Sequence, residues 1–337
     1  MEDSNAQDSY GTDRVKRGCC FAGFVCQSPA GGKKIIGISQ IVSHPALDAV
    51  VKGIQDELTA LKVDVTFDIQ NANGDPNAAA SIANKFKSDK DAVVIGVATP
   101  TSQALVKAFA DVKSPVIYSA VTDPVDAGLV ASTEQGGEYV TGYSDASHVK
   151  DQLAFLVKLV PSVKKIGLVY AGGEANAVVL KKSTEDAAKE LGLEVIAASI
   201  ASSAEVKTAT ESIVDKVDAF YVTTDNTVVS ALSALTQVAA AKKKPVMSAD
   251  PASSEKLDVL ASWGFDYYKM GQATGRLVKE ILDGKKTADI PTRYMTDPKD
   301  FNILLNKDVA AALGITFAQD VLDSASIIIE KGAVTKK

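Results

Sequence analysis

The chain repeats itself. KKIIGIS (Lys33 to Ser39) returns as KKIGLVY (Lys164 to Tyr170), and ALDAVVKGIQDELTALKVDVTFDI (Ala46 to Ile69) returns as AVVLKKSTEDAAKELGLEVIAASI (Ala177 to Ile200). DAVVIGVATPTSQAL (Asp91 to Leu105) is answered by DAFYVTTDNTVVSAL (Asp218 to Leu232). Within each copy, short apolar runs rich in β-branched residues alternate with amphipathic segments of helical period: strand, helix, strand, helix, strand, helix. Strands separated by helices pair in parallel through right-handed crossovers, so each copy predicts a parallel sheet with helices on both faces. The fold class is therefore α/β: two similar doubly wound parallel-sheet lobes with a ligand cleft between them. At 337 residues the chain also exceeds what one core usually serves.

The linking pieces set the lobe boundaries. Lobe one runs from Lys33 through the strand SPVIYSA and a long loop, VTDPVDAGLVASTEQGGEYVTG, and the helix HVKDQLAFLVKLV then opens the second copy. After the strand LASWGF comes the amphipathic helix YYKMGQATGRLVKEILDGKK, ended by Gly284. One more strand, FNILLN, and short helices to about Glu330 complete the tail. Lobe one is thus expected to hold residues 33–144 and about 265–291, and lobe two 145–264 and about 292–330, leaving 1–32 outside both. Several crossings rather than one linker make a hinge, and both sheets point their strand carboxyl ends into the cleft.

Composition excludes several functions. A net charge of -6 gives no basis for gripping phosphate backbones, so nucleic acid is not an expected partner. Cys19, Cys20 and Cys26 are the only cysteines, His44 and His148 the only histidines, and none is spaced for a metal, so neither metal nor cofactor is expected. No run approaches a membrane span. Residues 1–32 read as a disordered leader, a misassigned start or a remnant of expression, and VKRGCCFAGFVC has too few apolar residues for a signal h-region. Cys26 as a lipidation site stays open, against a Val25 larger than such a site prefers. Enzyme signatures are missing: no GxGxxG after a strand, no GxxxxGK[ST], HExxH or GxSxG.

The candidate binding residues sit where strands end. In TTDNTVVSAL an Asp and an Asn meet at a strand-to-helix turn; one can cap the helix, and the other is available to a ligand. The repeat sets Asp225 and Asn226 opposite Ala98 and Thr99, followed by Ser102. Both turns offer helix N-terminal N–H groups to a carboxylate, and Asp225 offers its own carboxylate to an ammonium, a pairing that fits a zwitterion. Gln40, Thr122, Asp123, Asn176 and Asp250 follow other strands, each with a plain turn or cap as the alternative role. Tyr118, Tyr170, Trp263, Tyr267 and Tyr268 are open between pocket wall and core.

With QIVSHPALD, NANGD, ATPTSQAL, AVTDPVDAGLV, GEANAV, TTDNTVVSAL and GFDYYKMG all present in order, the chain resembles the substrate-binding proteins of ABC importers in the TrpX-like group, from about Lys33 to Glu330. The resemblance implies a type I periplasmic-binding-protein fold, aromatic amino acid ligands and no enzymatic activity. It also implies delivery to a membrane permease, action outside the cytoplasm and a monomeric working unit. Carried over by motif, the implied ligand-facing residues are Gln40, Thr99, Ser102, Thr122, Asp123, Asn176, Asp225, Asn226 and Asp250. Trp263 departs from the pattern, standing where a smaller aliphatic residue is expected. The rival classes are sugar-responsive repressors, which need a helix-turn-helix that residues 1–32 do not show, binding proteins for sugars, nucleosides or branched-chain amino acids, and two-lobed enzymes.

Overall fold

The structure is a computed structural model and describes residues 33–337; the readings placed on 1–32, Cys26 among them, lie outside the described residues. The first lobe begins β1 (Lys34–Gln40), α1 (Pro45–Ala60), β2 (Val65–Asn71), α2 (Pro76–Asp89), β3 (Val93–Val97), α3 (Thr99–Phe109), β4 (Val116–Val121) and β5 (Val140–Ser144). The second follows with α4 (Val149–Leu159), β6 (Lys165–Ala171), α5 (Ala175–Glu190), β7 (Glu194–Ile200), α6 (Val206–Ile213), β8 (Ala219–Val222), α7 (Asn226–Ser230), α8 (Leu232–Ala241), β9 (Val246–Ser248), α9 (Pro251–Ser254) and β10 (Ala261–Phe265). The chain then returns through α10 (Tyr267–Leu282) and β11 (Arg293–Tyr294). It ends in β12 (Phe301–Asn306), α11 (Lys307–Leu313), α12 (Gln319–Ser324), β13 (Ile327–Glu330) and β14 (Ala333–Lys336).

The repeat in sequence is a repeat in topology. One sheet runs β2-β1-β3-β4-β5-β11 and the other β7-β6-β8-β9-β10-β12-β13-β14, so the first five strands of each take the same order. All pairings in the six-stranded sheet are parallel, whereas the other turns antiparallel at β10/β12 and β13/β14. The central strand β3, covered on both faces, is apolar throughout, VVIGV with every residue buried. The edge strand β2 instead mixes exposed and half-buried positions.

Three details differ from expectation. YVTG, placed at the end of a long loop, opens β5, because a short β-branched run wedged between Gly and Ser clusters carries little periodic signal. The tail forms β13 where only short helices were expected, since SIIIE is β-branched and pairs beside β12, and β14 follows past the expected end of the lobe at about Glu330. β11 pairs with β5, so Arg293 and Tyr294 belong to the six-stranded sheet and the last crossing follows them.

α10 returns from the second lobe and packs lengthwise on α1. Pro45 opens α1, and Leu47, Val50, Ile54 and Leu58 line its buried face at helical spacing. Two glycines allow the helices to touch: a Cβ on Gly53 would meet the Tyr268 carbonyl at 2.2 Å, and one on Gly271 the Val50 carbonyl at 2.2 Å. Leu277 and Val278 join Ile36, Ile38 and Val50 in the same core.

Candidate functional site

Seven strand ends converge between the lobes. His44 follows β1, Thr122 β4, Asp145 β5, Asn176 β6, Thr224 and Asn226 β8, Asp250 β9 and Tyr267 β10; all line one enclosed cavity. Ala46, Leu47, Ala120 and Val229 supply its apolar wall. At about 20 Å³ the cavity is barely wider than a water, so the lobes stand close together. His44 bridges them, its Nδ1 lying 3.5 Å from Ser253 Oγ and 3.8 Å from Asp250 Oδ2. Burial lowers the His44 pKa from its ordinary value, against the raising effect of Asp250.

The backbone is strained at the rim. Ala120 has φ of 56° in β4, where the register against β5 shifts, and Ala98 has φ of 80° at the turn into α3. Such angles cost an alanine about 1–3 kcal/mol and persist only where the surroundings enforce them.

Four cavity residues carry a buried polar atom without a hydrogen-bond partner: His44 Nε2, Asp145 Oδ1, Asn176 Oδ1 and Thr224 Oγ1. Buried polar atoms are normally paired, and four unpaired ones on residues that line a single cavity leave hydrogen-bonding capacity open to a polar ligand. Two carboxylates line it, Asp145 and Asp250, with no lysine or arginine. Burial pushes the Asp145 carboxyl up to about 6, against the lowering effects of the Tyr267 hydroxyl, its own N–H and Thr122.

Of the sequence candidates, Thr122, Asn176, Asn226 and Asp250 line the cavity, and five do not. Gln40 spans the β1–α1 loop, its Nε2 donating to the Val42 carbonyl at 2.8 Å and to Asp48 Oδ1 at 2.7 Å. Ser102 is pressed against β3, its Oγ donating to the carbonyls of Gly96 and Ala98, and Thr99 is buried beside it in the first turn of α3. Asp123 closes a turn by accepting from the N–H groups of Val125 and Asp126. Asp225, expected to meet an ammonium, is fully buried as the cap of α7: Oδ1 accepts from Val228 N at 3.0 Å and Oδ2 from Ala171 N at 2.6 Å. Burial and the neighbouring Glu174 push its pKa up.

The pair in TTDNTVVSAL therefore divides its roles, Asp225 to the cap and Asn226 to the cavity. Glu174 braces that arrangement, accepting from Asn226 Nδ2 at 2.7 Å and from Thr227 N at 3.1 Å. The sequence reading missed His44, Asp145 and Thr224 as site residues. The aromatic candidates separate as well. Tyr267 lines the cavity, whereas Tyr118 bonds Thr292 in the core and Trp263 packs edge-on against Phe155 outside it.

A family model described as ABC transporter substrate binding protein matches residues 35–329. The chain belongs to that family. Members are substrate-binding components that deliver a small molecule to an ABC permease from outside the cytoplasm, and they bind rather than transform it. A tyrosine-binding protein of Clostridioides difficile is 39% identical over 285 residues, covering 83% of this chain and 81% of that protein. An ABC domain from Streptococcus pneumonia in complex with L-Trp is 34% identical, covers 88% of this chain and 100% of its own, and superposes with a TM-score of 0.83. A ligand-free, open substrate-binding protein from Clostridium difficile is 36% identical, covers 85% and 97%, but superposes with a TM-score of only 0.64. The family's two-lobed type I periplasmic-binding fold is the one described above. Among the described residues, no helix is long and apolar enough to cross a membrane.

Proposed function

We propose that this binding protein captures an aromatic amino acid, tyrosine, tryptophan or phenylalanine, in the interlobe cavity and presents it to a permease with the lobes closed. The observation that carries this reading is the cavity's chemistry. It holds two carboxylates and no basic side chain, and so suits an ammonium. It also adjoins the first turns of α1 and α5, neither capped by the side chain before it, whose N–H groups suit a carboxylate. Leu47, Val229 and Tyr267 offer apolar surface to a ring. Relatives described as binding tyrosine and L-Trp support the aromatic class.

At about 20 Å³ the cavity as it stands does not hold an amino acid, so binding requires the lobes to part and then to close around the ligand less tightly than in this arrangement. The better superposition on the L-Trp complex than on the open relative, at similar identity, supports a closed arrangement here. A ligand that touches both lobes only in that arrangement shifts the equilibrium toward it. One chain carries both halves of the site, which supports a monomer as the working unit.

Isothermal titration calorimetry of the full chain with the three aromatic amino acids, leucine, a hexose and a nucleoside tests the reading. Binding confined to aromatic amino acids is the expected result. Binding of the hexose or nucleoside alone would overturn it.

A further inference from the structure

Four acids stand at the cleft, and their hydrogen bonds separate them. Both oxygens of Asp225 accept backbone N–H groups. Glu174 is engaged through both oxygens by Asn226 and Thr227. Asp250 accepts from Ser253 N at 3.0 Å through Oδ1 and from Ser253 Oγ at 2.5 Å through Oδ2. Asp145 makes one well-formed hydrogen bond, accepting through Oδ2 from the Tyr267 hydroxyl at 2.7 Å; its own N–H and Thr122 stand near the carboxylate, yet its Oδ1, buried at the cavity, has no partner at hydrogen-bond geometry. A fully buried carboxylate with half its acceptor capacity unused is costly unless something charged completes it.

We propose that Asp145 is the counter-ion of the ligand's ammonium, and that Tyr267 is the positioning residue that holds one carboxylate oxygen so that the other faces the ligand. The proposal rests on the amino acid reading above and assigns its charge recognition to one side chain. Asp145 lies one residue beyond β5, where its N–H donates to the Val121 carbonyl at 3.1 Å, and Tyr267 opens α10, which packs on α1. Both therefore move with the first lobe. The ammonium site survives when the lobes part, so the ligand docks there first, and Asn176, Thr224, Asn226 and Asp250 reach it as the second lobe closes.

The test is calorimetry with L-tyrosine and L-tryptophan, each beside its des-amino acid, 3-(4-hydroxyphenyl)propanoate or indole-3-propanoate. Wild type should prefer the amino acid. Asp145→Asn, an isosteric change, should weaken the amino acid about 100-fold, as expected for stripping one partner from a buried charge pair, and leave the des-amino acid unchanged. Tyr267→Phe should weaken the amino acid less, again without touching the des-amino acid. Equal losses for both ligands would mean a structural role, and an unaltered Asp145→Asn with a selective loss in Asp250→Asn would move the role to Asp250. Either result overturns the proposal while leaving the amino acid reading intact. Failure of wild type to bind either amino acid overturns both. If Asp145→Asn does not melt cooperatively, the ratio of the two affinities in Tyr267→Phe decides, and an unchanged ratio refutes the assignment.

Discussion

Replacing Asp225 with alanine separates a cap from a ligand contact. In the native protein the carboxylate takes Ala171 N at 2.6 Å and Val228 N at 3.0 Å, and so ties the end of β6 to the first turn of α7. Alanine would leave both N–H groups buried and unpaired. Each such loss costs about 1–3 kcal/mol, and removing the buried carboxylate, whose charge burial already opposes, returns part of that. The net is about 2–4 kcal/mol, at or above the roughly 2 kcal/mol upper end for a lost N-cap because the Ala171 N–H loses its partner as well. For lobes of this size that lowers the melting temperature by roughly 5–15 °C. Differential scanning calorimetry of unliganded wild type, Asp225→Ala and Asp225→Asn should show the full loss for alanine and a smaller one for asparagine, which keeps one acceptor. A protein that melts like wild type yet no longer binds tyrosine would refute the reasoning and put the Asp225 carboxylate on the ligand.

Asp91, buried with both oxygens unpaired, has its carboxyl pushed up to about 6 by burial and by Asp68 and Asp89. Because the native pKa lies above the unfolded one, wild type is penalised at pH above about 6 and relieved as pH falls below about 4. Asp91→Asn should accordingly gain about 1–2 kcal/mol at pH 7.5 and nothing at pH 4, read by urea denaturation. Around Asp145 stand the Tyr267 hydroxyl, Asp250, Thr122 and, across the cavity, His44, whose pKa burial lowers; with the Asp145 carboxyl at about 6 a proton competes with an ammonium ligand. The Kd for tyrosine should rise as pH falls through about 6, by up to about tenfold per pH unit, and stay flat over the same range in Asp145→Asn. Glu280 clamps Arg293 through two bonds of 2.7 Å, also accepts from Lys285, and is held at about 2 by them. Its contribution is present above pH 4.5 and fades toward pH 2. A third of the side chain is exposed, so Glu280→Gln should cost only about 1 kcal/mol at pH 7 by thermal melting.

The architecture was legible because strand and helix periods are local signals, and the duplicated pattern in β1 to α3 and β6 to α8 reinforced each reading. The site was legible only in outline. Residues after recognised strand ends, such as Asn176 and Asp250, do line the cavity. Asp145 lines the cavity without having been a candidate because β5, the strand that delivers it, was read as loop. Within DN, nothing local says which side chain turns inward. The Ala171 N–H, 54 residues earlier in the chain, draws Asp225 away from the cavity. Ser102 was misread for a similar reason: its neighbour is Gly96, where any Cβ would strike its hydroxyl at 2.5 Å.

The contact between α1 and α10 has a consequence for synthesis. The stripe that α1 presents from Leu47 to Leu58 is covered by β1 and β3 on one side only until Tyr267 to Leu282 have been made, and the six-stranded sheet lacks its last strand until Arg293 and Tyr294 follow. The eight-stranded sheet ends with residues 333–336. A chain emerging amino end first can therefore finish neither half before nearly all of it is available, and piecemeal completion of one domain at a time is closed to it. Any translation arrest between residues 60 and 267 releases a fragment with an apolar helix face and an unfinished sheet, a natural substrate for chaperones or proteases.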